Sequence, residues 1–184
     1  MAKVIIDLGA NKLGGYMKLV DILNIDESWQ KVFVEPNPEN IPWLKRAIAN
    51  IADAKLIEAA VSVADGELTL ITRSDCEGDI AATTMGKAWL DSLLKKFDQR
   101  AAGYTSYTVQ AVTIESLLAA TDVDDEVYIK MDIEGAEFNV LDNFPMQYCP
   151  RIKGMFVEFH GELKRSCDLI IKFRDAGIQI QEWE

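Results

Sequence analysis

The chain has 184 residues, 49% hydrophobic and 27% charged, and its 30 acidic against 19 basic side chains leave a formal charge of −11. That length suits one domain with a well-filled core, the apolar share argues against disorder, and no apolar run reaches the roughly 18 residues of a membrane span. Binding to nucleic-acid phosphates calls for a basic face. Lys95 and Lys96 read only as a solvated helix face, so broad nucleic-acid binding is not expected.

Val4, Ile5 and Ile6 form an apolar run closed by Asp7 and Gly9, the pattern of a buried parallel strand, and a helix follows over about 15–23. Val32, Phe33 and Val34 make a second strand. Asn37 is placed to cap a helix with Pro38 at its first position, and Ile41, Leu44, Ile48 and Ile51 keep helical spacing behind it. A third strand is expected over 56–61, with a turn at Asp65 and Gly66 leading into a strand over 68–71. The segment 72–82 is polar, with Asp75, Glu77 and Asp79, and reads as a substrate lid within a span of about 72–107. Met85, Trp89, Leu93 and Phe97 recur every four residues as one face of an amphipathic helix, and Trp89 and Tyr104 are candidates for a stacking wall.

A strand over 107–112 follows, then a helix capped by Thr113 that contains Leu117 and Leu118. Strands over 127–131 and 155–159 flank a helix around 137–141 that Pro145 closes. A last helix near 162–175 ends at Gly177 in a left-handed cap, and 178–183 alternates as a half-exposed final strand. Strand alternating with helix predicts an α/β fold over 1–184, a single domain with a mostly parallel sheet and helices on both faces. Cys76, Cys149 and Cys167 lack metal-type spacing and read as reduced thiols. The N-terminus runs into strand residues with no hydrophobic signal core, so a cytoplasmic location is expected.

Ligands in such folds bind beyond the carboxyl ends of the strands, near the point where strand order reverses. Asp7, Glu35, Ala60, Asp132 and His160 all fall at such ends. Gly9, Gly14 and Gly15 lie in a strand-to-helix turn where a ligand approaches backbone closely, but the Gly-x-Gly-x-x-Gly dinucleotide fingerprint is absent. Glu35 suits the two hydroxyls of a ribose, or else complements the helix that follows it. Small residues at Ala59 and Ala60 leave room for a flat base, or else ease a crowded junction. Asp132 and Glu134 put two acids at the end of one strand, and Glu137 complements a helix N-terminus. His160 is the single histidine, either structural or a general base. Asp132, Glu158 and His160 together form an O, O, N set for magnesium or manganese, an alternative ranked below a metal-free site.

Four strings share one resemblance: Asp7, Leu8, Gly9, Ala10, Asn11; Glu35, Pro36, Asn37, Pro38, Glu39, Asn40; Lys130, Met131, Asp132, Ile133, Glu134, Gly135, Ala136, Glu137; and Val157, Glu158, Phe159, His160. Together they resemble the FkbM-type S-adenosylmethionine-dependent methyltransferases over nearly the whole chain. The resemblance implies a class I methyltransferase fold, a Rossmann-like three-layer sandwich around a sheet of about six to seven strands. It implies S-adenosyl-L-methionine as cofactor. Asp7, Gly9, Asn11 and Gly14 would hold its methionine part, Glu35, Pro36 and Asn37 its ribose, and Ala60 and Val61 its adenine. Asp132 would meet the cofactor's amino group or a substrate hydroxyl. It further implies Asp132 and His160 as catalytic groups and Glu134 and Glu158 beside the substrate. One departure stands out: Leu13 occupies the place of the family's second glycine, and Gly14 and Gly15 follow with one extra residue.

The expected activity is O-methylation of a sugar or another hydroxylated small molecule, with no membrane partner. A binding protein of the same fold without turnover is the alternative, and a ribose methyltransferase acting on RNA ends is a weaker one. Oligomeric state stays open, since the final strand leaves an edge that can pair.

Overall fold

The computed structural model describes residues 1–73, 82–83, 104–161 and 163–183. Along the chain come β1 (Lys3–Leu8), α1 (Gly14–Leu23), β2 (Gln30–Val34), α2 (Ile41–Ile48), β3 (Ala54–Ile57), β4 (Ala59–Ser62), β5 (Gly66–Arg73), β6 (Ala82–Thr83) and β7 (Tyr104–Thr113). Then follow α3 (Ile114–Ala119), β8 (Glu126–Met131), α4 (Glu137–Asp142), a 3-10 turn (Met146–Arg151), β9 (Ile152–Val157), α5 (Leu163–Asp175) and β10 (Ile180–Glu182).

The main sheet has six parallel strands in the order β10-β9-β8-β1-β2-β3. The chain starts in the middle, at β1, winds outward through β2 and β3, and returns to the other side of β1 with β8. Strand order therefore reverses between β1 and β8. Side chains of β1 alternate between faces, as the strand period of two requires. Val4, Ile6 and Leu8 join a core with Leu117, Phe138, Leu141, Leu169 and Phe173 from α3, α4 and α5. Ile5 enters the opposite core with Phe33, and with Tyr16, Leu19 and Leu44 from α1 and α2. Helices thus cover both faces, as alternating strands and helices predict. Each fully buried side chain of this kind contributes roughly 1.5–3 kcal/mol.

A second sheet, β4-β7-β5-β6, was not expected. The single strand anticipated over 56–61 is two strands in different sheets. β3 pairs with β2, while β4, one residue later, pairs in parallel with β7. Glu35 N–H still bonds to Ile57 O at 3.1 Å, after which Ala59, Ala60 and Val61 turn into buried positions of their own. α2 begins at Ile41 with Pro42 in its first turn, three residues later than the Asn37-Pro38 pattern suggests. Asn37 instead caps the preceding turn, accepting the Glu39 N–H at 3.0 Å. β9 ends at Val157, so Glu158 and Phe159 lie beyond the strand.

Of the span expected to hold a lid, Thr72 and Arg73 belong to β5, and Thr72 is buried there. Asp75, Glu77, Asp79, Cys76 and the stripe Met85, Trp89, Leu93, Phe97 lie outside the described residues, as does the side chain of Tyr104. Among the described residues, no helix is long and apolar enough to cross a membrane.

Candidate active site

The first strand-to-helix turn is tied to the neighbouring strand end, with the N–H groups of Gly9 and Ala10 bonding Val34 O at 3.0 and 3.1 Å. Gly9 adopts φ +78°, and a Cβ there would stand 1.7 Å from the carbonyl oxygen of Asp132. The glycine is required by the passing backbone of the β8 end, where a ligand had been expected to need the space. Asn11 and Leu13 also take left-handed conformations, with φ 42° and 60°. This winding absorbs the extra residue of the loop and turns Leu13 inward, 4% exposed, against the α1 core. Gly14 lies off the cleft described below, with nothing within 4 Å of its Cβ position.

Beneath the loop lies Lys130, the penultimate residue of β8 and 3% exposed. Its ammonium donates to Gly9 O at 2.8 Å, forms an ion pair with Asp7 Oδ1 at 3.1 Å, and stands 3.6 Å from Asp132 Oδ2. Gly15 makes this possible, because a Cβ there would come within 2.7 Å of Lys130 Cε. Burial opposes the ammonium charge, but Asp7 and Asp132 outweigh it and raise the pKa of Lys130. Burial likewise raises Asp7, with Lys130 pulling the other way. Asp7, expected at the cofactor, is 1% exposed and faces Lys130. No sequence argument assigned Lys130 a part; a lysine inside an otherwise apolar strand was the available signal.

Glu35, 3% exposed, accepts the Asn11 N–H on Oε2 at 2.8 Å and the Asn37 N–H on Oε1 at 2.9 Å. Asn40 Nδ2 adds a bond to Oε1 at 3.3 Å and another to Asn11 Oδ1 at 3.2 Å. A carboxylate offers about four lone-pair sites, and three are taken. Burial raises its pKa, and these N–H groups act against the rise. Glu35 therefore holds its own two loops and keeps room for one further donor. Asn37 stands behind it, fully buried.

At the carboxyl ends of β1, β2 and β8, beside β4, opens a cleft whose space, counted with the solvent at its open mouth, is about 530 Å³. Gly9, Asn11, Glu35, Pro36, Ala60, Val61, Asp132 and Glu134 line it. Asn40, Ala59 and Leu70 line it too, and sequence reasoning gave Asn40 and Leu70 no part in it. Leu70 comes from the second sheet, which no local pattern announced.

Asp132 and Glu158 each stand one residue past paired strand ends, with Glu158 N–H bonding Met131 O at 2.9 Å. Asp132 is 28% exposed. Glu134 sits at φ 54°, followed by Gly135 at φ 98°, in a tight left-handed turn. Glu137 is fully buried, accepting the N–H groups of Ile133 and Gly135 and lying 3.1 Å from His160 Nδ1. Burial works against its charge, yet the His160 and Gly135 bonds prevail and hold its pKa below the ordinary carboxylate value. Glu158 Oε1 and Glu134 Oε2 lie 3.5 and 3.7 Å from His160 Nε2. The Glu137 hydrogen bond, with the surrounding carboxylates, raises the His160 pKa to about 9 despite partial burial. A ring that carries its proton at neutral pH has to lose it before it can serve as a general base.

A parallel sheet that reverses between β1 and β8, with a carboxylate-edged cleft at that reversal, is the arrangement of a Rossmann-like α/β fold. A family model described as the methyltransferase FkbM domain matches residues 7–177, and the chain belongs to that family. The crystal structure of methyltransferase FkbM from Methylobacillus flagellatus KT shares the fold with a TM-score of 0.57 at 14% identity, over 95% of this chain and 37% of that one. This chain thus spans well under half the length of that protein. No curated protein gives a significant match.

Proposed function

We propose that the chain is an S-adenosylmethionine-dependent methyltransferase acting on an oxygen of a sugar or another small hydroxylated molecule. The observation that carries this reading is the cleft at the β1–β8 reversal, edged by Glu35 and Asp132 and floored by small residues. The donor set fits the cofactor. Glu35 retains one lone-pair site for a ribose hydroxyl, beside the amides of Asn11 and Asn40. Ala59 and Ala60 leave space for a flat base against Val61 and Leu70. Asp132 presents a part-exposed carboxylate to the ammonium of the methionine part or to an acceptor hydroxyl.

When bound, S-adenosylmethionine supplies a methyl group on a positively charged sulfur. The protein's share is alignment, which in well-placed intramolecular reactions is worth roughly 7–11 kcal/mol. Asp132 orients, Glu134 and Glu158 stand on the acceptor side, and the acidic rim attracts a cationic cofactor. The net charge of −11 favours a small neutral acceptor over RNA. A cytoplasmic setting, where the cofactor is made, goes with this reading.

Calorimetry with S-adenosylhomocysteine, followed by transfer of labelled methyl to a panel of sugars and other hydroxylated metabolites, tests it. Binding with transfer to a hydroxyl is expected, and Asp132→Asn should lower that turnover. Absence of binding would return the chain to the scaffold reading, and transfer only to RNA ends would select the ribose reading.

A further inference from the structure

His160 is held from behind and faces a ring of oxygen ligands. Its Nδ1 lies 3.1 Å from Oε1 of the buried Glu137. An ionised carboxylate can only accept, so Nδ1 carries the hydrogen and Nε2 is turned toward the rim. Glu137 is itself locked by the N–H groups of Ile133 and Gly135. One ligand atom each from Asp132, Glu158 and His160 lies within 4.8 Å of the others, and Nε2 is the ring nitrogen facing Glu158 Oε1 at 3.5 Å. Asp132 and Glu158 directly follow the paired ends of the adjacent strands β8 and β9, so their mutual spacing is set by sheet register, and His160 comes two residues after Glu158.

We propose that Asp132, Glu158 and His160 Nε2 form a binding site for a divalent cation, with Glu137 as the residue that positions His160. A buried carboxylate behind the imidazole is the arrangement that orients ligating histidines in metal centres. Two carboxylate oxygens and one imidazole nitrogen, with no thiolate, suit Mn2+ first and Mg2+ next. Bond lengths of about 2.1 Å draw paired ligand atoms to within about 4.2 Å. The observed separation needs only a small closing movement, and the side chains of Glu158 and Asp132 are 39% and 28% exposed and able to make it. The Nε2 proton leaves to solvent on binding. Three protein ligands leave coordination positions for oxygens of a second molecule. Asp132 also lines the cleft, so the matching ligand class is a vicinal diol or a hydroxy-carbonyl compound. The site stands on this geometry alone and does not depend on the methyl-transfer reading.

The test uses the full chain, stripped with a chelator and titrated with MnCl2 in the absence of any methyl donor, reading free Mn2+ by electron paramagnetic resonance. One saturable site is expected, with pulsed spectra showing nitrogen coupling from a bound imidazole. His160→Ala should abolish that coupling and weaken binding tenfold or more, and Glu158→Gln should weaken it similarly. Glu137→Gln, checked for folding by circular dichroism, should weaken binding roughly 10–100-fold. Non-saturable uptake, or binding that survives His160→Ala and shows no nitrogen coupling, overturns the proposal. Because no methyl donor is present, that failure would leave the transferase reading untouched.

Discussion

Three residues under the cleft have duties that their position in a motif conceals. Glu35 is as much a fastener of its own loops as a ligand group, since three of its lone pairs receive protein N–H groups. Glu35→Gln turns an NH2 toward the backbone N–H of Asn11 or Asn37. It should therefore lower stability by about 1–3 kcal/mol, the cost of a buried unmet donor, besides weakening S-adenosylhomocysteine. Urea denaturation checks this, and unchanged stability would show that the network is not structural. Lys130 is the clearer case. Lys130→Met strands Asp7 and Gly9 O in the interior and should cost about 3–5 kcal/mol, as breaking a buried pair does. Adding Asp7→Asn should recover a good part of it, and equal instability of single and double variants would argue that the pair is uncoupled. Gly9 owes its identity to the Asp132 carbonyl, so substitution there damages the fold before it touches any ligand.

Between elements, the second sheet is stitched to the main core by a short polar bridge. Thr113 ends β7 and caps α3, its Oγ1 accepting the Ser116 N–H at 3.0 Å. Asp65, in the turn before β5, accepts the Thr113 N–H at 2.7 Å and the Ser116 hydroxyl at 2.7 Å. Thr113→Ala should lower stability by about 0.5–2 kcal/mol, the range for a lost N-cap, which thermal melts will read. The Ser116 hydroxyl and Thr113 N–H hold the Asp65 carboxyl below its ordinary 3.8. A depressed acid stabilises the fold above its unfolded pKa, and that contribution is lost as pH falls through the lower folded value. Asp65→Asn should consequently flatten the stability profile just below pH 4 and leave it parallel to the parent above neutrality.

At the scale of the whole molecule, a cofactor that binds only the folded chain must stabilise it by mass action. S-adenosylhomocysteine at a hundred times its dissociation constant should add about 2.7 kcal/mol, visible as a raised unfolding midpoint. No shift at any concentration would count against the cofactor reading. The same sheet that carries the cleft separates two cores, and β1 serves both because its side chains alternate.

Much of this was legible along the chain, because burial period is a local property. The apolar runs at Val4 and Val127, the Thr113 cap and the left-handed Gly177 end each depend on a few neighbouring residues, and each lies where the pattern puts it. The strand-end position of Glu35 and Asp132 followed from the same alternation. Other features depend on residues far apart in sequence. Lys130 meets Gly9 across 121 positions, and Leu70 reaches the cleft from a sheet that the apolar run over 56–61 did not reveal. Whether a histidine is base, cation or ligand depends on which carboxylates surround it, and those of His160 come from separate turns. Periodicity determined the strands and helices; the close approach of backbone and charge, which only packing brings about, decided what their ends can do.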